Sequence, residues 1–333
     1  MKKKYLLGCD WGTSSFRLWL FDMVEQRVVG QVHTREGIAN TYKLWESQSS
    51  NDLLSQEQFF RRALSRQTMV LSGRLSMDLR EVAVVISGMA SSSIGMQVIP
   101  YAELPFAMDG SGAVTKYIEQ DEDLPHDIVL VSGVRSTNDV MRGEETQVLG
   151  LIYLLEKQGS CPENSVILFP GTHCKHIFIN GREMTSFQTF MTGEIYSMLG
   201  HHSILRDSVD AVSLAMKGDA DIRAFRNGIR ASLNSSFLNA LFSVRTNHLF
   251  DILDKHQNAF YLSGLLIGSE LQCLQDDVTL PIILCSSSNL HDYYTHGLEE
   301  LGLIHRTTIL SSDMTEKATI AGQFLLWSKT TGG

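Results

Sequence analysis

The chain has 333 residues, 43% hydrophobic and 20% charged, enough for about two globular domains with buried cores. Its formal net charge of −9 argues against a general nucleic-acid binder, which carries a basic footprint, and leaves small-anion binding open because a few local groups decide it. Five scattered cysteines (Cys9, Cys161, Cys174, Cys273 and Cys285) without a C-x-x-C pair read as reduced thiols, mostly buried as small hydrophobes.

At the N-terminus, three lysines precede an apolar run that stops at Asp10, too short for a secretion signal. No stretch reaches the ~20 apolar residues that span a bilayer. The expectation is a soluble cytoplasmic protein with no membrane or nucleic-acid partner. Residues 5–9, 15–21 and 28–34 read as three strands, the second buried on both faces. Residues 53–72 have helical spacing, with Leu53, Phe60, Leu64 and Leu71 turned inward. Apolar runs at 82–86 and 128–131 each end in Ser-Gly and read as buried parallel strands. Residues 137–157 read as one long helix capped by Asn138 or Asp139. The polar, turn-rich stretch 159–164 marks a break, giving domains 1–158 and 159–333.

The second half opens like the first, with strands at 166–169 and 175–179 and a hairpin turn at Asn180-Gly181. Helices follow near 193–201, 208–216, 236–244, 259–275, 289–301 and 315–328, with strands at 282–285 and 307–310. Alternating strands and helices indicate an α/β class. Two halves that each open with a β-hairpin point to duplication.

Each opening hairpin turns at Gly-Thr: Gly12-Thr13 and Gly171-Thr172. A tight bend can aim backbone N–H groups outward, and with hydroxyls and cations it becomes an anion cradle. Two such bends facing across a cleft would grip a polyphosphate. Thr13, Ser14 and Arg17 supply the first bend, and Thr172, His173 and Lys175 the second. Arg17 also reads as a surface strand residue. Asp10, at the end of the first strand, suits Mg²⁺ beside phosphates, which needs one or two carboxylates; the plain alternative is a turn-stabilising Asp. His173 and His176 lack the further ligands a zinc site requires. On one helix face, Asp139 would take a hydroxyl proton, its ionised form favoured by the helix N-terminus, and Arg142 would bind a carboxylate. A cap with exposed charges is the other reading. No Walker A, G-x-G-x-x-G or G-x-S-x-G pattern is present.

Four ordered stretches carry a family resemblance: Asp10-Trp11-Gly12 with Arg17, residues 139–147 (DVMRGEETQ), residues 170–175 (PGTHCK), and Met191-Thr192-Gly193-Glu194. A fifth is residues 262–268. The chain resembles the 2-dehydro-3-deoxygalactonokinase family of the actin-like ATPase and sugar kinase superfamily, in which residues 262–268 look like the helix that borders adenine. The resemblance implies two similar RNase H-like domains around a nucleotide cleft that closes to exclude water. It implies MgATP-dependent phosphorylation of 2-dehydro-3-deoxy-D-galactonate at its 6-hydroxyl, in galactonate breakdown. It assigns Asp139 as base with Glu144 and Glu145 as alternatives, Gly264 and Gly268 to the nucleotide, and Gly88, Met89, Ser92 and Arg142 to the sugar acid. The loop at 87–96 departs from the family pattern, with Ser91 for a glycine and Met96 for a tryptophan, and Ser286-Ser287-Ser288 replaces a glycine-bearing turn. Another sugar or sugar acid therefore stays open as substrate, as does a nucleotide-switched scaffold. A homo-oligomer is compatible with this reading, and galactonate- and gluconate-derived acids both stay open as substrates.

Overall fold

The computed structural model describes residues 4–48, 54–122, 124–160, 163–210, 216, 218–286 and 288–331. Leu53, Cys161, Ser287 and residues 211–215 of the expected helix 208–216 lie outside the described residues. The chain forms two compact units: residues 1–161, 182–186 and 313–333, and residues 162–181 and 187–312.

In the first unit, β1 (Tyr5–Trp11), β2 (Phe16–Asp22) and β3 (Arg27–Thr34) form an antiparallel meander, followed by α1 (Ile38–Glu46) and α2 (Gln56–Leu75). Ser55 caps α2 through a reciprocal box with Gln58. Next come β4 (Val84–Gly88), the short β5 (Ala102–Glu103) and β6 (Phe106–Ala107), β7 (Thr115–Ile118), β8 (Ile128–Val131), and the two-residue β9 (Val134–Arg135) and β10 (Val140–Met141). The sheet order is β3-β2-β1-β4-β8-β7, with β4 parallel to both β1 and β8. Strands β4 and β8 are buried throughout, as their unbroken apolar runs require. Leu7, Cys9, Phe16, Leu18, Phe60, Leu64 and Leu71 join one core.

Residues 137–157 are not one helix. Residues 136–139 form a turn in which Ser136 N donates to Asp139 O at 2.9 Å, and β10 then pairs antiparallel with β9. Helix α3 (Glu144–Lys157) begins only after Gly143, whose φ of 107° a helix interior does not admit. Neither Asn138 nor Asp139 therefore caps α3, whose N-cap is Gly143, and Asp139 and Arg142 flank a strand instead of sharing a helix face.

The second unit repeats the sheet. β11 (Asn164–Phe169) pairs antiparallel with β12 (Cys174–Asn180), which turns at Gly181 (φ 60°) into β13 (Glu183–Phe190). Residues 182–186, the start of β13, belong to the first unit, where Glu183 and Met184 pair with Ala107 and Phe106. Helices α4 (Thr192–His202), α5 (Asp219–Asn234), α6 (Phe237–Leu249) and α7 (Lys255–Leu271) precede β14 (Ile282–Leu284), α8 (Ser288–Glu300) and β15 (Thr307–Ile309). β14 is parallel to β11 and to β15, giving the order β13-β12-β11-β14-β15. This matches β3-β2-β1-β4-β8 strand for strand. The protein is thus α/β, with two mixed sheets that share one five-strand order. Residues 208–210 are not helical and follow a short 3₁₀ turn at Ile204–Asp207.

The closing helix α9 (Ser312–Thr331) packs with the first unit from residue 313 onward, although the sequence reading assigns it to the second domain. Two glycines explain the docking. A Cβ on Gly150 of α3 would stand 1.8 Å from Ala318 O, and one on Gly322 would stand 1.9 Å from Thr146 O. Only bare backbone allows α3 and α9 to approach this closely.

Candidate functional site

The first bend joins β1 to β2. Asp10 and Arg17 are register partners, and Arg17 Nη2 lies 3.5 Å from Asp10 Oδ2. Gly12 N donates to Ser15 O at 2.9 Å and closes the bend; Gly12 O and Thr13 O accept from Ile38 N and Ala39 N of α1. Thr13 and Ser14 are exposed at the tip. Gly12 has no left-handed φ, and a Cβ there would meet nothing nearer than Ser15 Oγ at 3.5 Å. The position has room for a Cβ, and the glycine leaves that space at the bend empty. Arg17 Nε is enclosed without a hydrogen-bond partner, which suits an arriving anion. Burial raises the Asp10 carboxyl above its usual range, opposed by Arg17 and then His33.

Gly88, at the end of β4, sits beside Trp11 with a φ of 88°. A Cβ there would stand 2.8 Å from Trp11 O and 3.2 Å from Asp10 Oδ1, and one on Gly143 would stand 3.3 Å from Gly88 Cα. This three-way approach brings the α3 N-terminus to the Asp10 end of the sheet. Glu145 is 2% exposed; its Oε2 accepts Gly143 N at 2.7 Å and its Oε1 the Thr146 hydroxyl at 2.8 Å. Burial, then the charge of Glu144, pushes the Glu145 carboxyl up to about 7. Glu144 is half-buried and accepts Arg142 N at 3.2 Å. Gln323 of α9 ties β1 to β4, donating to Cys9 O at 2.8 Å and Ser87 Oγ at 2.9 Å.

The sequence-predicted sugar-acid residues also gather in this unit. Arg142 Nη1 donates to Ser91 Oγ at 2.5 Å, and the guanidinium stacks on the Tyr101 ring at 3.9 Å. Arg142 thus holds the loop of Gly88, Met89 and Ser92. The Ser91 hydroxyl supplies the acceptor for this bond. Ser92 Oγ is turned back to Met89 O at 2.7 Å, and Met96 is 2% exposed in the core. Asp139, in the turn before β10, is partly exposed, and its Oδ1 accepts Val140 N at 2.7 Å.

The second bend joins β11 to β12. Gly171 N donates to Cys174 Sγ at 3.4 Å, and the thiol donates to Gly171 O at 3.3 Å. Burial, then the charge of Glu270, pushes that thiol up to about 12, so it stays protonated. A Cβ on Gly171 would meet nothing nearer than 3.9 Å, again leaving the bend open. Thr172 and His173 are exposed, and His173 Nε2 lies 2.5 Å from Glu194 Oε2. Lys175 is buried and donates to Thr189 Oγ1 at 2.7 Å. Gly193 lets α4 abut the bend, since a Cβ would stand 2.6 Å from Gly171 O.

Beneath the bend, Glu270 joins four elements. It accepts from Tyr294 Oη at 2.8 Å and Thr192 Oγ1 at 2.5 Å, and pairs with His176 Nε2 at 3.1 Å, while Tyr294 Oη lies 2.9 Å from Cys174 Sγ. Sequence reasoning missed Glu270 and Tyr294. A lone carboxylate in the apolar face of α7 is the signal that could have found the first. His173 and His176 point to different carboxylates, and the described residues contain no cluster of three His, Cys, Asp or Glu side chains suited to a metal.

A pocket opens beside Gly171, lined by Tyr196, Ser263, Leu266, Ile267, Leu290 and Tyr293 among others. Gly264 and Gly268, read from the sequence as nucleotide contacts, face away from it. A Cβ on Gly264 would stand 2.0 Å from Phe225 O and one on Gly268 3.0 Å from Ile229 Cα, so both glycines serve the α5–α7 crossing. Ser263, Leu266 and Ile267 form the pocket side of α7.

Among the described residues, no helix is long and apolar enough to cross a membrane. Residues 10–325 match the family model described as 2-keto-3-deoxy-galactonokinase. The chain is 28% identical over 311 residues to the 2-dehydro-3-deoxygalactonokinase of Escherichia coli (strain K12), covering 91% of each. A crystal structure of a candidate 2-dehydro-3-deoxygalactonokinase from Sinorhizobium meliloti superposes with a TM-score of 0.77 at 27% identity, covering 98% of this chain and 97% of that one. With the family model spanning nearly the whole chain, the protein belongs to the 2-keto-3-deoxy-galactonokinase family, a family of ATP-dependent kinases.

Proposed function

We propose that the protein transfers the γ-phosphoryl group of MgATP to the 6-hydroxyl of 2-dehydro-3-deoxy-D-galactonate, releasing ADP, as a cytoplasmic step in galactonate breakdown. The observation that carries this reading is the pair of open glycine bends, Gly12 and Gly171, at equivalent places in two sheets of the same order. Phosphoryl transfer depends on positioning and charge neutralisation, which such bends supply.

The first bend, with Thr13, Ser14 and Arg17, and the second, with Thr172 and His173, hold phosphate oxygens. The pocket beside Gly171 takes the base, with Leu266, Ile267 and Tyr293 as its apolar walls. Asp10 fits Mg²⁺, which is satisfied by one carboxylate plus phosphate and water oxygens and would neutralise phosphate charge. Lys175 reaches Thr189 and serves the second bend from below.

The helix-terminus argument that the sequence attaches to Asp139 applies to Glu144. Glu144 opens α3, where the macrodipole favours a carboxylate, and stands next to Gly143, which meets Gly88. Glu144 accepts the 6-hydroxyl proton as that oxygen bonds to phosphorus. Glu145 is too buried to reach a substrate and fixes the turn at Gly143. Arg142 positions the sugar-acid loop through Ser91 and presents positive charge toward the substrate carboxylate.

Ser91 favours a second reading, a different sugar acid in the same site, because its hydroxyl occupies space that a glycine would leave. A coupled ADP-release assay over galactonate- and gluconate-derived 2-dehydro-3-deoxy acids tests both. Turnover highest with the galactonate-derived acid supports the proposal. No stimulation by any sugar acid removes it.

A further inference from the structure

Helix α6 buries Ala240 and Val244 against the second unit and turns a large apolar face outward. Leu238 is 80% exposed, Phe242 54% and Leu249 56%, with Phe250 and Ile252 just beyond the helix at 70% and 62%. Ile204, 59% exposed, adjoins them because Arg245 Nη1 donates to its carbonyl at 3.4 Å. Taking roughly 200 Å² for a fully exposed large apolar side chain, these groups offer roughly 760 Å². That exceeds the largest apolar patch of a typical monomer and approaches the ~800 Å² that each partner gives to a stable interface.

The spacing names the occupant. The outward face of α6 reads Leu238, Phe242, Arg245, Leu249, in steps of four, three and four residues. That series is the same in either direction. The geometry points to a second copy of this chain, with α6 packed antiparallel on its own equivalent about a two-fold axis. Leu238 then lies opposite the partner's Leu249, and Phe242 opposite the partner's Arg245, each pair formed twice. The Phe–Arg pairs are cation–π contacts, and the one basic residue in the stripe meets an aromatic ring instead of a like charge. Helices with such side chains pack at interaxial distances of about 8–10 Å. None of these residues lines the pocket beside Gly171, so the inference is independent of the proposed activity.

Sedimentation equilibrium and light scattering on the full chain, from about 1 to 100 μM, a range set to bracket dissociation constants of ordinary interfaces, test this. The expected result is a mass twice the 37.2 kDa of the chain, with Phe242→Glu and Leu238→Glu each weakening dimerisation at least about tenfold while circular dichroism is unchanged. Arg245→Glu tests the ring contact and should weaken it as well. If the glutamate variants misfold, hydrogen exchange of the unmodified chain decides: protection of residues 237–252 should rise with concentration. A monomer throughout the range overturns the inference. So does a dimer that survives both glutamate variants, or concentration-dependent protection confined to another face.

Discussion

Glu270 Oε2 accepts the Tyr294 hydroxyl at 2.8 Å, and that hydroxyl lies 2.9 Å from the Cys174 thiol that closes the second bend. A carboxylate on α7 thereby sets the shape of a loop distant in sequence. Glu270→Ala would leave Tyr294, Thr192 and His176 without their shared partner. The expected cost is about 3 kcal/mol of stability, from losing charge-assisted bonds in a buried place. Glu270→Gln keeps one acceptor and should raise KM for ATP roughly tenfold, a change of about 1.4 kcal/mol, with a smaller effect on KM for the sugar acid. Denaturant melts and steady-state kinetics check both; an unchanged KM for ATP in Glu270→Gln would detach this network from the bend.

Gly88 combines a φ of 88° with backbone on the side where a Cβ would point. Gly88→Ala should cost roughly 2 kcal/mol or more and lower turnover, since the strain falls against Trp11 and Asp10. Gly159 has a φ of 70° but open space around it, so Gly159→Ala should cost only about 1 kcal/mol and spare activity. Parallel urea melts and assays on the two variants separate backbone strain from the close approach.

The Glu145 carboxyl stands at about 7 in the folded chain, above its unfolded value. The folded state therefore holds a proton that the unfolded state has already released between about pH 4.5 and 7. Stability from this group is greatest below that window and declines as pH rises through it. Glu145→Gln removes the titration. Relative to the unmodified chain, the variant should gain up to about 3 kcal/mol between pH 5 and pH 8, as unfolding free energies at the two pH values will show.

Ser91 gives Arg142 an acceptor at 2.5 Å. Ser91→Ala withdraws it and should raise KM for the sugar acid several-fold, for the loss of about 1 kcal/mol, leaving KM for ATP in place. A matched rise in both constants would mean that Ser91 supports the fold generally.

The duplicated hairpins were legible because buried strands leave long apolar runs and Gly-Thr breaks them at the same place twice. Helix α5 escaped notice although Ile222, Phe225 and Ile229 carry the helical period, and α1 is short. The two-residue strands β9 and β10 have too few residues for any period to show, so their stretch merged with α3. Gly143 was the available warning, since its position between Arg142 and two glutamates suits a helix start better than a helix interior. Within the candidate site, the positions of the two bends could be read from local sequence. Glu270 and Tyr294 could not, because their role comes from contacts between separate elements. Gly264 and Gly268 misled for a related reason: small residues in an apolar helix mark close packing as well as ligand approach, and only the position of α5 distinguishes the two.

Identifying the proton acceptor is the most direct trial of the proposed chemistry. Glu144→Gln and Asp139→Asn should be compared for ATP-analogue binding and for phosphorylation of 2-dehydro-3-deoxygalactonate. Glu144→Gln should bind the analogue within about twofold of the unmodified chain and lose at least about a hundredfold in turnover, the range of general base catalysis, while Asp139→Asn keeps most of its activity. Near-normal turnover in Glu144→Gln, with activity abolished in Asp139→Asn, would contradict this assignment.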